Sequence, residues 1–210
     1  MYKKIDFETW KRKKLFSHFY NDVRCIICTT VDVDVTKLIE YCRAKGLRFY
    51  PTFLYLVSLC VNEQDEFKTF VDKNNDVNVW DTVSPSYTGM GDDDIFTTLY
   101  TELDSFDVFY DNACKALDSN KDSANCPDNI FNCSCIPWLE FKHFSLDFPQ
   151  DGAPYLAPII TWGKYRKCHG KTMMPVAFQI HHAAADGLHI AKFFNSLNEH
   201  ITVFTSANGE

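Results

Sequence analysis

The stretch that decides the fold is KTMMPVAFQIHHAAADG, residues 171–187. Before its paired histidines, apolar side chains recur at every second position, a period that predicts a strand over residues 171–182. The side chains that share one face of this strand are Met174, Val176, Phe178 and Ile180. His182 continues the same face at the end of the strand. An Asp-Gly turn follows, and the spacing then predicts a closing helix over residues 188–200.

Outward from this stretch, helix and strand patterns are mixed irregularly. Apolar side chains at helical spacing predict helices at 8–19, 35–45, 51–61 and 104–117. Runs rich in β-branched and aromatic residues predict strands at 24–33, 77–80, 85–88, 95–100, 131–136 and 155–166. Because strands and helices do not alternate regularly, we predict an α+β fold with a mixed β-sheet and helices packed on it. No linker composition interrupts the sequence, which predicts a single domain over residues 1–210.

The composition argues against several classes of protein. The chain has 210 residues, 46% of them hydrophobic, and a formal net charge of -7. A nucleic-acid binder needs a basic surface to meet the phosphates, so the acidic balance argues against that class. The longest apolar stretch, residues 53–61, is far shorter than the roughly 20 residues of a membrane-spanning helix. The first residues are charged and lack the apolar segment of a signal peptide, so we expect a cytoplasmic protein.

Nine cysteines are scattered between Cys25 and Cys168, an odd number that does not indicate a disulfide framework. Cys25 and Cys28 form a C-x-x-C pattern, and Cys133 and Cys135 form a C-x-C pattern, so zinc has to be considered. Residues three apart on a strand face opposite ways, and the glycine-containing turns of zinc knuckles are missing here. We therefore expect buried reduced thiols and no bound metal.

The adjacent residues His181 and His182 have three interpretations: metal ligands, a catalytic base, or ordinary polar residues at a sheet edge. Metal is disfavoured because neighbouring side chains on a strand diverge and no third ligand stands at a standard spacing. The apolar face that ends at His182 favours a base, since partial desolvation keeps an imidazole neutral near pH 7. A neutral imidazole can take the proton of an alcohol that attacks a thioester. An acidic residue on the following turn, Asp186, can fix the geometry of such a site.

Several motifs carry a family resemblance. The pattern H-H-x-x-x-D-G at 181–187 is shared by chloramphenicol acetyltransferases, the acyltransferase cores of 2-oxo acid dehydrogenase complexes and peptide-synthetase condensation domains. Further motifs stand in the order of the first family: WKRK at 10–13, RFYP at 48–51, VWD at 79–81, SCIPW at 134–138 and LAPIITWGKY at 156–165. Nearly the whole sequence therefore resembles the chloramphenicol acetyltransferases. The resemblance implies a CoA-dependent acyltransferase fold and transfer of an acetyl group to a hydroxyl of chloramphenicol. Acetyl-CoA is then a co-substrate, and no cofactor is permanently bound.

The resemblance also implies roles for individual residues. His182 matches the family's general base, whose ring is held partly by its own backbone carbonyl. Ser134 matches the serine that donates a hydrogen bond to the oxyanion of the tetrahedral intermediate, and Thr161 matches the threonine that holds a water against it. Asp186 and Arg12 match an ion pair that braces the catalytic loop. Taken alone, Ser134 and Thr161 are equally explained as small strand residues, and Arg12 as one charge on a basic helix.

Substrate positions and assembly follow from the same resemblance. The residues that match coenzyme A contacts are Tyr165, Lys164 and Arg48, although exposed cations are equally explained as solvated charges. Those that match or lie beside the acceptor pocket are Phe19, Cys25, Ile27, Phe96 and Leu146, although each is equally explained as core. The family is a homotrimer whose active sites lie between subunits. The histidine comes from one chain and much of the acceptor pocket from its neighbour.

Three departures from the family's pattern bear on the acceptor. Ala185 stands where the family usually has Cys, Ile27 stands where an aromatic residue is common, and residues 89–95 (GMGDDDI) lack the usual His, Gln and Thr and are slightly shorter. The candidate base and oxyanion donor are intact, so we expect the chemistry to persist. Two other interpretations stay open: an O-acyltransferase of the same family with a different hydroxylated acceptor, and a non-catalytic drug binder.

Overall fold

The structure, a computed structural model, describes residues 1–91, 94–119, 121–123, 125–147 and 152–206. Residues 92 and 93, which belong to the segment 89–95 that departs from the family's pattern, lie outside the described residues. The helices are α1 (Lys13–Ser17), α2 (Thr36–Lys45), α3 (Phe49–Asn62), α4 (Phe106–Ser119) and α5 (Gly187–Ser206). The strands are β1 (Tyr2–Lys4), β2 (Ile26–Asp34), β3 (Thr69–Val71), β4 (Val77–Trp80), β5 (Ser84–Met90), β6 (Phe96–Tyr100), β7 (Ile130–Ile136), β8 (Ile159–Gly163), β9 (Arg166–Cys168) and β10 (Lys171–His181). None of the helices in these ranges is both long and apolar enough to cross a lipid bilayer.

Strand β10 is the longest strand of a seven-stranded mixed sheet, and the predicted α+β class is confirmed. The strand order is β2-β10-β8-β7-β5-β6, and β9 pairs with the first part of β10. Strand β7 runs parallel to β5 and β8, and the other neighbours are antiparallel. Because this order does not follow the sequence, it brings segments that are distant in the chain side by side.

The apolar face of β10 is buried as the alternation predicts, and helix α5 packs on it, while α3 packs on the neighbouring β8. Phe193 of α5 packs on Phe178 of β10 with ring centroids 4.7 Å apart. Phe53 of α3 packs edge-on against Trp162 of β8 at 5.1 Å. Burying each of these large side chains contributes about 1.5–3 kcal/mol. A register slip of one residue would turn this face to the other side of the sheet, so the packing fixes the end of β10.

A three-stranded sheet with the order β1-β4-β3 stands apart from the main sheet. The sequence predicts only its middle strand, because β1 and β3 have three residues each and cannot display a two-residue period. Aromatic packing supports this sheet: Phe70 stacks on Trp80 with centroids 4.3 Å apart, and Tyr2 lies edge-on to both rings.

Helix α1 differs from the predicted helix over residues 8–19. It begins at Lys13 and is followed by a π-helical turn, His18–Asp22. The residues before it form turns in which Phe7 and Trp10 pack against the buried ring of Phe16. Local helical preference is weak, and the packing of these rings overrides it.

Other predicted elements are confirmed with shifted ends. Strand β8 covers only part of residues 155–166, because it follows Pro158, which has no N–H for a ladder, and ends at Gly163. A side chain at Gly163 would lie 2.6 Å from the ring of Phe141. Between β9 and β10, His169 and Gly170 have φ angles of 48° and 79°, which suits a tight hairpin turn. Helix α5 continues to Ser206, beyond the predicted end.

Candidate active site

The candidate base, His182, directly follows β10 at the edge of the core. Its backbone N–H donates to the carbonyl oxygen of Cys25 at 2.9 Å, which extends the pairing of β10 with β2 by one step. The side chain of His182 is half-buried, whereas that of His181 is buried and turned to the opposite face by strand alternation. The pairing of two strands therefore fixes the position of His182.

Two contacts fix the imidazole ring of His182. Its Nδ1 lies 3.0 Å from the carbonyl oxygen of Ala185, and because a carbonyl can only accept, Nδ1 carries a proton. In the neutral ring Nε2 then keeps its lone pair, which is the form that a general base requires. The ring of Phe19 stacks on the imidazole with centroids 3.8 Å apart and planes inclined by 20°. The resemblance implies that the carbonyl of His182 itself holds the ring. The structure places the carbonyl of Ala185 there instead, because a tight turn brings Ala185 back onto the ring.

The turn after the candidate base is organised by His181. Its carbonyl oxygen and Nδ1 accept three backbone N–H groups at 3.0–3.3 Å, those of Ala183, Ala184 and Ala185. Burial lowers the pKa of His181, and the charge of Arg24 lowers it further, so the ring stays neutral and Nδ1 remains an acceptor. All three alanines are fully buried, so a larger side chain in this turn would face the core rather than solvent.

Asp186 stands at the start of α5 and accepts hydrogen bonds from several sides. Nη1 of Arg12 donates to Oδ2 at 2.8 Å, and the N–H of Leu188 donates to Oδ1 at 3.1 Å, which caps the helix. Oδ1 also lies 2.9 Å from Nδ1 of His189. Burial alone raises the pKa of Asp186, but the hydrogen bond from Arg12 and the charges of His189 and Arg12 outweigh burial and lower it. No predicted site included His189, whose one signal in the sequence is its place three residues after Asp186.

The candidate oxyanion donor, Ser134, lies beside Thr161, its register partner across β7 and β8. Thr161 is buried and Ser134 half-buried. The hydroxyl of Ser134 lies 3.2 Å from that of Thr88 on β5. If Thr88 donates in this pair, the proton of Ser134 stays available for an oxyanion. A threonine in a strand is ordinary, so only the pairing of β5 with β7 reveals Thr88.

The candidate coenzyme A contacts lie just beyond the end of β8 and at the start of α3. Lys164 and Tyr165 follow the end of β8, and both are exposed. The ring of Tyr165 lies edge-on to that of Phe49, the first residue of α3, with centroids 6.5 Å apart. Arg48, the preceding residue, holds the carboxylate of Asp118 through Nη1 at 2.7 Å. An aromatic ring and cations at this surface suit a nucleotide with phosphates.

The candidate acceptor-pocket residues divide between two places. Phe19 and Cys25 lie against His182, and Ile27 packs on the core beside them. Phe96, on β6, is 64% exposed. It lies two residues from Thr98, the register partner of Thr88, and therefore on the face of the sheet that carries Thr88 and Ser134. Leu146 also lies over that face: its N–H donates to Oε1 of Gln179 on β10 at 2.8 Å, and its carbonyl accepts from Nε2 of the same side chain at 2.7 Å.

Strand register shows how far apart the two groups lie. Ser134 stands level with Ala177 of β10, two strands away, and His182 lies five residues further along β10. At the usual spacings this is about 17 Å along the strand and about 10 Å across it, or about 19 Å in all. That separation exceeds the combined reach of the two side chains. We call Arg12, Phe19, His182 and Asp186 the base half-site, and Ser134, Thr161, Lys164 and Tyr165 the oxyanion half-site.

The cysteines contribute no metal cluster in the part of the chain that the structure describes, where no three His, Cys, Asp or Glu side chains are placed to hold an ion. The thiol of Cys28 donates to the carbonyl of Phe144 at 2.9 Å. Burial raises the pKa of Cys28, and it raises that of Cys135 to about 12. These thiols therefore stay protonated at neutral pH.

Comparisons by sequence with known proteins agree on one family. The family model for chloramphenicol acetyltransferase matches residues 1–198. Chloramphenicol acetyltransferases of Clostridium perfringens and Clostridioides difficile are each 38% identical to the chain, and the alignments cover 98% and 97% of the chain and 97% of each relative. A solved chloramphenicol acetyltransferase structure has a TM-score of 0.85 at 24% identity, covering 96% of this chain and 100% of its own. The chain therefore belongs to the chloramphenicol acetyltransferase family and is an acetyl-CoA-dependent acetyltransferase.

Proposed function

We propose that this chain transfers the acetyl group of acetyl-CoA to a hydroxyl of chloramphenicol, with His182 as the general base. The observation that carries the proposal is the hydrogen bond from Nδ1 of His182 to the carbonyl of Ala185, which leaves Nε2 as the acceptor. The acceptor is inferred from relatives that are named for chloramphenicol. The reaction belongs to a single acyltransferase domain, residues 1–210, in the cytoplasm, where acetyl-CoA is available.

In the proposed reaction, Nε2 of His182 takes the proton of the acceptor hydroxyl as the hydroxyl oxygen attacks the carbonyl carbon of the thioester. The negative charge develops on the former carbonyl oxygen, and the hydroxyl of Ser134 donates a hydrogen bond to it. Thr161 holds a water against the same intermediate. When the carbon–sulfur bond breaks, the imidazolium returns the proton to the departing thiolate. The base is regenerated without a covalent enzyme intermediate.

This chemistry requires His182 and Ser134 at one acetyl group, although they lie about 19 Å apart in one chain. We therefore propose a closed cyclic homotrimer in which the base half-site of one subunit faces the oxyanion half-site of the next. The exposed position of Phe96 supports this assembly, since an aromatic ring that is 64% exposed on the Ser134 face is suited to contact with a neighbour or a ligand. Three equivalent sites result.

A second candidate keeps the chemistry and changes the acceptor. It is favoured by Ile27, which stands where an aromatic residue is common and packs on the core behind His182. A non-catalytic drug binder would need no fixed tautomer at His182, so the hydrogen bond to Ala185 argues against that third interpretation.

The test is release of free thiol from acetyl-CoA, measured with and without chloramphenicol, with His182→Ala as the matched control. We expect thiol release only with the drug, together with acetylated drug detected by chromatography. Release with another alcohol but not with chloramphenicol would support the second candidate. Tight binding of the drug without thiol release would contradict the enzymatic proposal.

A further inference from the structure

A further histidine, beyond His181 and His182, lies next to the base half-site and takes no part in the proposed proton transfer. His189 is buried in the first turn of α5. One ring nitrogen, Nδ1, lies 2.9 Å from Oδ1 of Asp186, and the other, Nε2, lies 3.3 Å from Oε1 of Glu66. Glu66 belongs to the 3-10 turn Asp65–Lys68, which leads into β3. A single ring thus connects the turn after His182 to a different part of the fold.

Two protonation states of His189, both with a proton on Nε2, preserve the connection. With both nitrogens protonated, the ring donates to both carboxylates. With Nδ1 bare, that nitrogen can instead accept the backbone N–H of Asp186, which lies 3.1 Å away. In either state one nitrogen holds Asp186 and the other holds Glu66. The side chain of Gln64 strengthens the same attachment by donating to the carbonyl of His189 at 3.1 Å.

The route from His189 to the base is short. Asp186 directly follows Ala185, whose carbonyl accepts the hydrogen bond from Nδ1–H of His182. Asp186 is held by Arg12 on one side and by His189 on the other. We propose that His189, clamped between Asp186 and Glu66, is a positioning residue that keeps the Ala185 carbonyl aimed at His182. This inference rests on the proposed role of His182, and it adds a second anchor to the Arg12 pair.

A matched control exists on the same helix. His200 also bonds a glutamate, with Nε2 2.6 Å from Oε1 of Glu63, but it lies about 16 Å further along α5 and away from Asp186. If His189 only stabilises the fold, His189→Ala and His200→Ala should behave alike: both lower the unfolding temperature and both spare turnover. If His189 positions the base, only its replacement should change turnover.

The experiment measures kcat, both KM values and the unfolding temperature for His189→Ala, His200→Ala and Asp186→Asn. We expect His189→Ala to lower kcat about tenfold, the scale of one lost hydrogen bond to a charged group, with each KM within about twofold of wild type. In the Asp186→Asn background, where the charge pairing of residue 186 with Arg12 and His189 is already lost, His189→Ala should cost less than about threefold. His200→Ala should stay within about twofold in kcat.

A wild-type kcat in His189→Ala overturns the proposal, and so does an undiminished effect in the Asp186→Asn background. If His189→Ala does not fold, Glu66→Gln replaces it. That variant keeps a hydrogen-bond acceptor for the ring, is expected to lower kcat about threefold, and overturns the proposal if kcat is unchanged. The His182→Ala variant distinguishes failure of the proposed function from failure of the role proposed for His189. An active His182→Ala contradicts the proposed function, whereas an inactive His182→Ala beside a fully active His189→Ala contradicts only the role of His189.

Discussion

The two half-sites differ in how much of their structure one chain completes. In the base half-site, hydrogen bonds of 2.8–3.0 Å already join Arg12 to Asp186 and His182 to the Ala185 carbonyl. In the oxyanion half-site, Ser134 has its hydroxyl contact with Thr88, and Tyr165 is 45% exposed. On the proposed roles, the group that must keep one tautomer is fixed before substrates arrive, whereas the groups proposed to contact substrates remain open. Preorganisation is then concentrated where the proposed proton transfer takes place.

The largest expected effect is loss of the base itself. His182→Ala should lower turnover by about 10²–10⁴, the contribution of a positioned general base, with folding and assembly intact. Steady-state kinetics and light scattering on the purified variant measure both. His181→Ala serves as the neighbour control and should be milder, because that side chain faces away. Equal losses in the two variants would contradict the assignment of His182.

Loss of the oxyanion donor tests the other half-site. Ser134→Ala should lower turnover by about 10²–10³ with little change in either KM, since the hydrogen bond strengthens only in the transition state. Thr88→Val is the matched control. It removes the hydroxyl beside Ser134 but leaves the donor, so a loss within about fivefold is expected. A larger loss in Thr88→Val than in Ser134→Ala would assign the donor role to Thr88.

Mixed assemblies test whether the half-sites meet between chains. We expect His182→Ala and Phe96→Arg to be inactive when purified separately, each with one defective part. If random trimers form when equal amounts are refolded together, about a quarter of the interfaces receive an intact base and an intact pocket. Activity near that share of wild type is expected in the thiol-release assay. No regained activity, or a monomeric mass in solution, would contradict the shared site.

Breaking the ion pair between Arg12 and Asp186 should have a smaller and non-additive effect on turnover. We expect Arg12→Val and Asp186→Asn each to lower turnover about tenfold, because each releases the loop that positions His182. The double variant should be less impaired than the product of the two single effects. Purely multiplicative losses in this double-mutant cycle would show that the two residues do not act together.

The smallest expected effect concerns pH. The pKa of His181 is lowered by burial in the folded chain, whereas the unfolded chain titrates near 6.5. As the pH falls through 6.5, His181 binds a proton in the unfolded chain but remains neutral in the folded chain, so the free energy of unfolding decreases. His181→Asn keeps an acceptor for the N–H of Ala183 but cannot titrate. Urea unfolding between about pH 7 and pH 5 should therefore show a shallower decline in His181→Asn than in wild type. Parallel declines would contradict this.

Local patterns predicted the elements that carry their own signal. The alternation of Met174 to Ile180 predicted β10 and its buried face, and α2 ends at residue 45 as predicted, followed by Gly46 with a left-handed φ of 68°. The first helix was predicted over residues 8–19 but begins only at Lys13. The packing of Trp10 on Phe16 is a tertiary effect that helical spacing in the sequence does not report.

The arrangement of the site depends on information that the linear sequence lacks. Ser134 and Thr161 become neighbours only because β7 pairs with β8, and the distance from Ser134 to His182 follows from the position of β10 beside β8. The partner of His189, Glu66, lies 123 positions earlier in the chain and on a turn with no motif. Motifs predicted the types of residue at the site, whereas strand order determines which of them can meet in one chain.

The separation of the half-sites within one sheet has a genetic consequence. In the proposed trimer each chain serves two active sites, since it gives its base to one and its oxyanion donor to another. A chain with one defective half-site inactivates one active site, so total activity falls in proportion to the fraction of defective chains among the subunits. A chain with both halves defective spoils two sites, so activity falls with about the square of the intact share. An allele of the second kind would interfere with a wild-type copy expressed in the same cell.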